Sequence, residues 1–247
     1  MGERVRIAVC NLQLGIGTTR GYWQYLITAW KYRLAHDARF IEQAADFLRE
    51  EAVDVAALCE VDAGSRRTRW VDQLEVLAHR SGLVHAAFFP TRVVGARVNQ
   101  GNAVCARTPV RIVRNHPLPG IGEPRFLSEA EVALAGMTVR LLVTHLSLER
   151  TLRLPQIHHI AEIVDRSQGP TILTGDFNIS EQAELGLLDE SHLERAASAP
   201  TFPAWRPRRY LDHLFVSKHF AVVNVYSYDD RLFSDHLPLV VELERQV

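Results

Sequence analysis

Long apolar runs are missing from this 247-residue chain: no stretch approaches the roughly 18 consecutive apolar residues that a membrane span requires. Cysteine is scarce as well. Cys10, Cys59 and Cys105 are odd in number and widely spaced, with no CxxC pair, which excludes the usual zinc sites and a disulfide framework. Buried free thiols of this kind suit a reducing compartment. The formal net charge is only -1, so the strongly basic balance of many nucleic-acid binders is absent and only local basic patches remain to consider. The N-terminus passes from Met1-Gly2-Glu3-Arg4 straight into an apolar strand, without the hydrophobic core of a signal peptide. A soluble, cytoplasmic protein is the expectation. With no linker, repeat or low-complexity tract, residues 1–247 are expected to form a single domain, and a hydrophobic fraction of 47% is ample for its core.

What the chain does contain is a series of short apolar runs, each followed by a polar residue. The plainest case is Thr171-Ile172-Leu173-Thr174-Gly175-Asp176-Phe177-Asn178, a β-branched run too short for a helix. Gly175 permits a sharp turn or a close backbone approach, and Asp176 and Asn178, two residues apart, point the same way in extended chain. Val5 to Leu12 reads as a strand with Asn11 near its end, and Val53 to Leu58 as another closed by Cys59-Glu60-Val61-Asp62. Strands are also expected at His85–Phe89 and Asn102–Ala106, and a hairpin joins Glu131–Ala135 to Thr138–Thr144 through Gly136-Met137. Its second strand runs into His145. Tyr210 to Val216 carries Asp212 and His213, and Ser234-Asp235-His236 separates the last two strands, Phe220–Tyr228 and Leu239–Leu243.

Helices are expected over Tyr22–Leu34, from about Asp37 with Phe40, Ile41, Ala44, Phe47 and Leu48 on one face, over Val71–His79, from Pro155 in a first turn to about Arg166, and over Glu181–Leu188. The stripe of Trp23, Leu26, Ile27, Trp30 and Leu34 is the kind that usually packs into a core. Its alternative is an interfacial surface for lipid or a partner. Strands dominate and helices are interspersed, which favours an α+β layered structure over a doubly wound parallel sheet.

Asn11, Glu60, His145, Asp176 with Asn178, Asp212, and Asp235 with His236 thus share one placement, at or just beyond an apolar strand. Carboxylates and amides without cysteine suit a hard cation such as Mg²⁺. Such a cation with histidines beside it is equipped to attack a phosphate ester. Each residue has a plainer reading alone: His145 as a satisfied buried histidine, Asp212 as a cap or an arginine's partner. His158, His159, His192 and His213 are assigned to structure or surface.

Taken in order, these motifs resemble the endonuclease/exonuclease/phosphatase superfamily, the DNase I-like hydrolases. The resemblance runs through Asn11, Cys59-Glu60-Val61, Gly101-Asn102-Ala103-Val104, Thr144-His145-Leu146, Gly175-Asp176-Phe177-Asn178, Leu211-Asp212-His213-Leu214-Phe215 and Ser234-Asp235-His236. It implies a four-layer sandwich, two mainly antiparallel sheets face to face with helices outside. It implies Glu60 as the main metal ligand, with Asn11 and Asp235 nearby, for Mg²⁺ or its substitute Mn²⁺. Asp176 would orient or deprotonate the attacking water, Asn178 hold a phosphate oxygen, and His145 donate to the phosphate or leaving group. His236 would be a second catalytic histidine held by Asp212, and Asn102 an architectural residue.

Phosphodiester hydrolysis is the activity expected, on nucleic acid or a lipid headgroup. The alternatives are a phosphomonoesterase acting on a small phosphorylated metabolite or phosphoinositide, and a non-catalytic binding module of the same fold. Two basic loops, one with Arg66, Arg67 and Arg69 and the other with Arg206, Arg208 and Arg209, flank the site strands and could meet a polyanion. The Trp23–Leu34 stripe points instead to lipid or a protein partner if it is exposed, and to packing if it is buried.

Overall fold

A computed structural model describes residues 3–32, 38–179, 182–228 and 232–246. Two six-stranded sheets lie face to face. The first is assembled from β1 (Arg4–Asn11), β2 (Val55–Asp62), β3 (His85–Val94), β4 (Val98–Ala106), β11 (Phe220–Ser227) and β12 (Leu239–Arg245), in the order β11-β12-β1-β2-β4-β3. The second holds β5 (Val110–Pro117), β6 (Phe126–Leu134), β7 (Met137–His145), β8 (Thr171–Asp176), β9 (Leu193–Arg195) and β10 (Asp212–Ser217), in the order β5-β6-β7-β8-β10-β9. Both sheets repeat one pattern. A parallel pair, β1 with β2 or β7 with β8, is flanked on each side by antiparallel strands.

The period of two in the strands explains the layering. Val5, Ile7 and Val9 of β1, and Val55, Ala57 and Cys59 of β2, face Leu141, Val143, Ile172, Leu214 and Val216 across the space between the sheets. The intervening Ala8, Cys10, Ala56 and Leu58 face outward, against α2 (Arg39–Glu50) and α3 (Gln73–Ser81). On the other side Leu142, Leu173 and Phe215 pack under α4 (Arg150–Val164) and α5 (Gly186–Asp189). Sheets covered on both faces need apolar side chains at every position, so their central strands read as unbroken apolar runs. α2 fits its place because Ile41, Ala44, Phe47 and Leu48 recur at helical spacing and are all buried.

Several elements differ from the sequence-based expectation. The hairpin between β6 and β7 turns at Ala135-Gly136, one residue early, because both take positive φ (48° and 68°), the mirror-image turn that matches strand twist. α4 starts at Arg150, so Pro155 lies inside the helix rather than in its first turn. The lost backbone hydrogen bond is offset locally: Arg153 pairs with Glu184 at 2.9 Å, Gln156 bonds Ser147, and Ile157, Ile160 and Ile163 are buried. The strands β3 and β4 are longer than expected, and the edge strands β5 and β9 are additions. In the first long loop α1 covers only Trp23–Thr28, followed by a 3-10 turn at Ala29–Tyr32; Leu34 and Asp37 lie outside the described residues. Its stripe does not pack into the core. Trp23 is 56% exposed and Leu26 83%.

Candidate active site

The parallel pairs bring the C-terminal ends of β1, β2, β7 and β8 to one end of the sandwich. In the second sheet, register places three polar residues on a single rung. His145 of β7 is opposite Asp176 of β8, which is opposite Asp212 of β10. β7 and β8 can meet here because position 175 is glycine: a Cβ on it would lie 1.9 Å from the Thr144 carbonyl oxygen.

In the first sheet, Asn11 ends β1 beside Cys59 of β2. The register of β2 on β4 then slips between Leu58 and Val61, with Glu60 at φ 55°. This bulge inserts one residue: Cys59 faces the inter-sheet core, Val61 the outer layer, and Glu60 is left over to point at the cleft. Asn178 also has φ 55°, a conformation asparagine tolerates, and its backbone N–H donates to Asp176 Oδ1 at 2.9 Å.

These side chains converge from both sheets. Asn11 Nδ2 donates to Asp176 Oδ2 at 2.9 Å and, more weakly, to Glu60 Oε1 at 3.4 Å, while its Oδ1 accepts the Gln13 N–H. His145 Nε2 and His236 Nε2 each lie 3.6 Å from Asp176 Oδ2, and His145 Nδ1 is 3.9 Å from Glu60. His236 Nδ1 meets Asp212 Oδ2 at 2.9 Å, and Thr201 Oγ1 donates to the same oxygen. Asn178 Nδ2 is held by the Leu146 carbonyl at 2.9 Å. Asp235 accepts hydrogen bonds from Ser234 and from Tyr25 Oη. Asn102 stays behind the site, donating to Ser128 Oγ between the sheets, and His213 is buried against the Ile179 carbonyl.

The electrostatics separate the two histidines. Burial, with the nearby Arg125 guanidinium, holds His145 down to about 3, so it is a neutral imidazole at pH 7. Burial also opposes charge on His236, but Asp212 and Asp176 outweigh it and lift that ring to about 10. Glu60 is pushed up to about 7 by burial and by the charges of Asp235 and Asp176, and burial raises Asp235 likewise.

Among the described residues, Asp176, Asp212 and His236 offer ligand atoms within 4.8 Å of one another. That triplet is a poor cation site, because the His236 imidazolium already sits between the two carboxylates. The repelled carboxylates Glu60 and Asp235 fit better. Burial and the Asp176 charge raise both, and Asp235 raises Glu60 further, despite the nearby His236 charge; excess negative charge is left there, an arrangement suited to a hard divalent ion.

Three contributors carry no sequence signal. Tyr25 reaches Asp235 from α1, Thr201 reaches Asp212 from an irregular loop, and Arg125 follows the Gly- and Pro-rich Gly120–Pro124 connection. Arg67, expected on a basic surface, is buried instead, with Nε 2.6 Å from Asp62 Oδ2.

Two packed mixed sheets with helices outside and this cluster at the strand ends define a DNase I-like α+β sandwich. The chain belongs to the endonuclease/exonuclease/phosphatase family, whose model matches residues 10–236. Among solved structures it is similar to a family protein from Beutenbergia cavernae, at 24% identity and TM-score 0.78, covering 98% of this chain and 72% of that one. It also resembles the mannosyl-6-phosphatase of Bacteroides thetaiotaomicron (18%, TM-score 0.66, 97% and 99% covered). The human Nocturnin catalytic domain, with a bound sulfate anion, is similar at 19% and TM-score 0.67, with 98% and 94% covered. No curated protein sequence matches the chain.

Proposed function

We propose that this chain is a Mg²⁺-dependent phosphodiesterase in which a positioned water displaces one ester oxygen of the substrate. The observation that carries the proposal is the His145–Asp176–Asp212 rung with Glu60 opposite it. Glu60 is the main candidate ligand for Mg²⁺ or Mn²⁺, with Asp235 and Asn11 beside it; in the arrangement described, Asn11 braces Glu60 and Asp176 through its N–H₂. The ion, when bound, would offset charge building on the phosphoryl oxygens. Asp176, held by Asn11 and by the Asn178 N–H, takes a proton from the attacking water. His236, kept protonated by Asp212, supplies a proton to the departing oxygen as the ester bond breaks. Neutral His145 and Asn178 hold the phosphate oxygens.

A diester is favoured over a monoester because the cleft does not stop at the rung. It continues past Glu60 as a space of about 590 Å³ flanked by Arg67, Arg97 and Gln100, room for a second substituent. Nucleic acid and lipid headgroups both fit that description, and the exposed α1 stripe supports a lipid or protein contact. A cytoplasmic setting is supported by three buried free thiols.

Hydrolysis of bis-p-nitrophenyl phosphate beside p-nitrophenyl phosphate, with Mg²⁺, Mn²⁺ or EDTA, tests the reading. The diester is expected to be cleaved in a metal-dependent way, and Asp176→Ala to lower kcat by at least about 10²-fold. Preference for the monoester would establish a phosphatase instead, and no turnover of any phosphate ester would leave a binding module.

A further inference from the structure

Large apolar side chains are exposed around the mouth of the cleft. On one side α1 presents Trp23, Leu26 and Ile27. On another, Ile121 in the connection from β5 to β6 is 81% exposed, and Leu148, three residues past His145, is 76% exposed. On a third, the half-exposed Val94 lines the same cleft as Glu60. These positions come from separate segments at or after the C-terminal ends of β1, β3, β5 and β7, which finish at the same end of the sandwich. They are therefore distributed about the cleft end rather than lining one groove. The set is tied to the chemistry: Tyr25 on α1 donates to Asp235, and the neighbouring Tyr22 packs edge-on against Trp205 at 5.2 Å. Trp205 in turn leads to the exposed Arg206 and Arg208.

We infer that this end is a membrane-docking face that seats the cleft on an anionic phospholipid bilayer, so that the ester cleaved is that of a lipid headgroup. The inference rests on the hydrolase reading and names its substrate class. Nucleic acid would be met by the arginines, but Leu26, Ile121 and Leu148 gain nothing against a phosphate backbone. A protein seated on the cleft end would block the site, whereas a bilayer delivers the substrate there. Aliphatic side chains reaching acyl chains, aromatic rings at headgroup depth and arginines on anionic headgroups match the layered polarity of that surface.

Co-sedimentation with phosphatidylcholine vesicles, with and without phosphatidylglycerol, tests this on the whole protein. Wild type is expected to bind the phosphatidylglycerol vesicles. The double substitution Leu26→Ser/Ile27→Ser is expected to weaken binding on the order of tenfold or more, with bis-p-nitrophenyl phosphate turnover unchanged. Arg206→Glu/Arg208→Glu is expected to remove the preference for phosphatidylglycerol. Wild type that stays in the supernatant, or variants that bind like wild type, would overturn the docking face. So would a dimer in solution that the apolar substitutions dissociate. Failure to hydrolyse the soluble diester while still binding vesicles would count against the hydrolase reading alone.

Discussion

Arg67 and Asp62 have side chains 4% and 0% exposed, and the carboxylate also accepts from Ser65 Oγ at 2.8 Å. Removing one member of such a pair leaves a buried charge unmatched. Arg67→Ala is therefore expected to cost about 3–5 kcal/mol, read from denaturant unfolding, whereas Arg66→Ala on the exposed side of the same loop should cost under about 0.5 kcal/mol. A loss near zero for Arg67→Ala would mean that the pair is solvated. The three arginines of this loop are alike in sequence, and only the fold sorts them. The residues of the rung and of Glu60 were legible, because carboxylate, amide and imidazole after an apolar strand are chemically conspicuous. Tyr25, Thr201 and Arg125 were not, because their roles come from where loops happen to return.

The buried strands were legible as elements for a related reason: β1, β2, β7, β8 and β10 are apolar on both faces, and composition alone reveals that. The edges were not. β5 carries Arg111, Arg114 and His116 on a mostly exposed strand, and β9 has three residues. What secures β5 and β6 is partly polar. Burial opposes charge on Glu129, yet Arg140 and His116, each at 2.6 Å, hold its carboxyl below the usual range. A carboxylate whose folded pKa is depressed contributes stability that is complete above its unfolded value and lost as pH falls through the folded one. Wild type should therefore lose Tm progressively below about pH 4.5, and Glu129→Gln should melt lower at pH 7 but with a shallower slope between about pH 5 and 3. Equal slopes would show that Glu129 is not a source of the acid sensitivity.

Across the whole molecule, the cleft joins residues of both sheets, so an ion held there would bind the folded chain and not the unfolded one. Mg²⁺ is expected to raise Tm, corresponding to about 2.7 kcal/mol at a concentration one hundred times Kd. EDTA should reverse the rise, and Glu60→Gln should abolish it while leaving the metal-free melting point near or above that of wild type, since Glu60 is repelled by Asp235 and Asp176. A Tm indifferent to Mg²⁺ would argue against the proposed site. No described helix is long and apolar enough to cross a membrane.

The pairing of β1 with β12 sets Arg4 opposite Glu244 and Ile7 opposite Val241, so β1 waits for a strand made more than 200 residues later. During synthesis the growing chain carries Asn11 and Glu60 long before Asp235 and His236 exist, and β1 keeps one open edge throughout. A nascent or prematurely terminated chain is thus both without its second histidine and prone to pair with a neighbour. The proposed site and the closed edge of β1 are completed together, by the segment from Asp235 through β12.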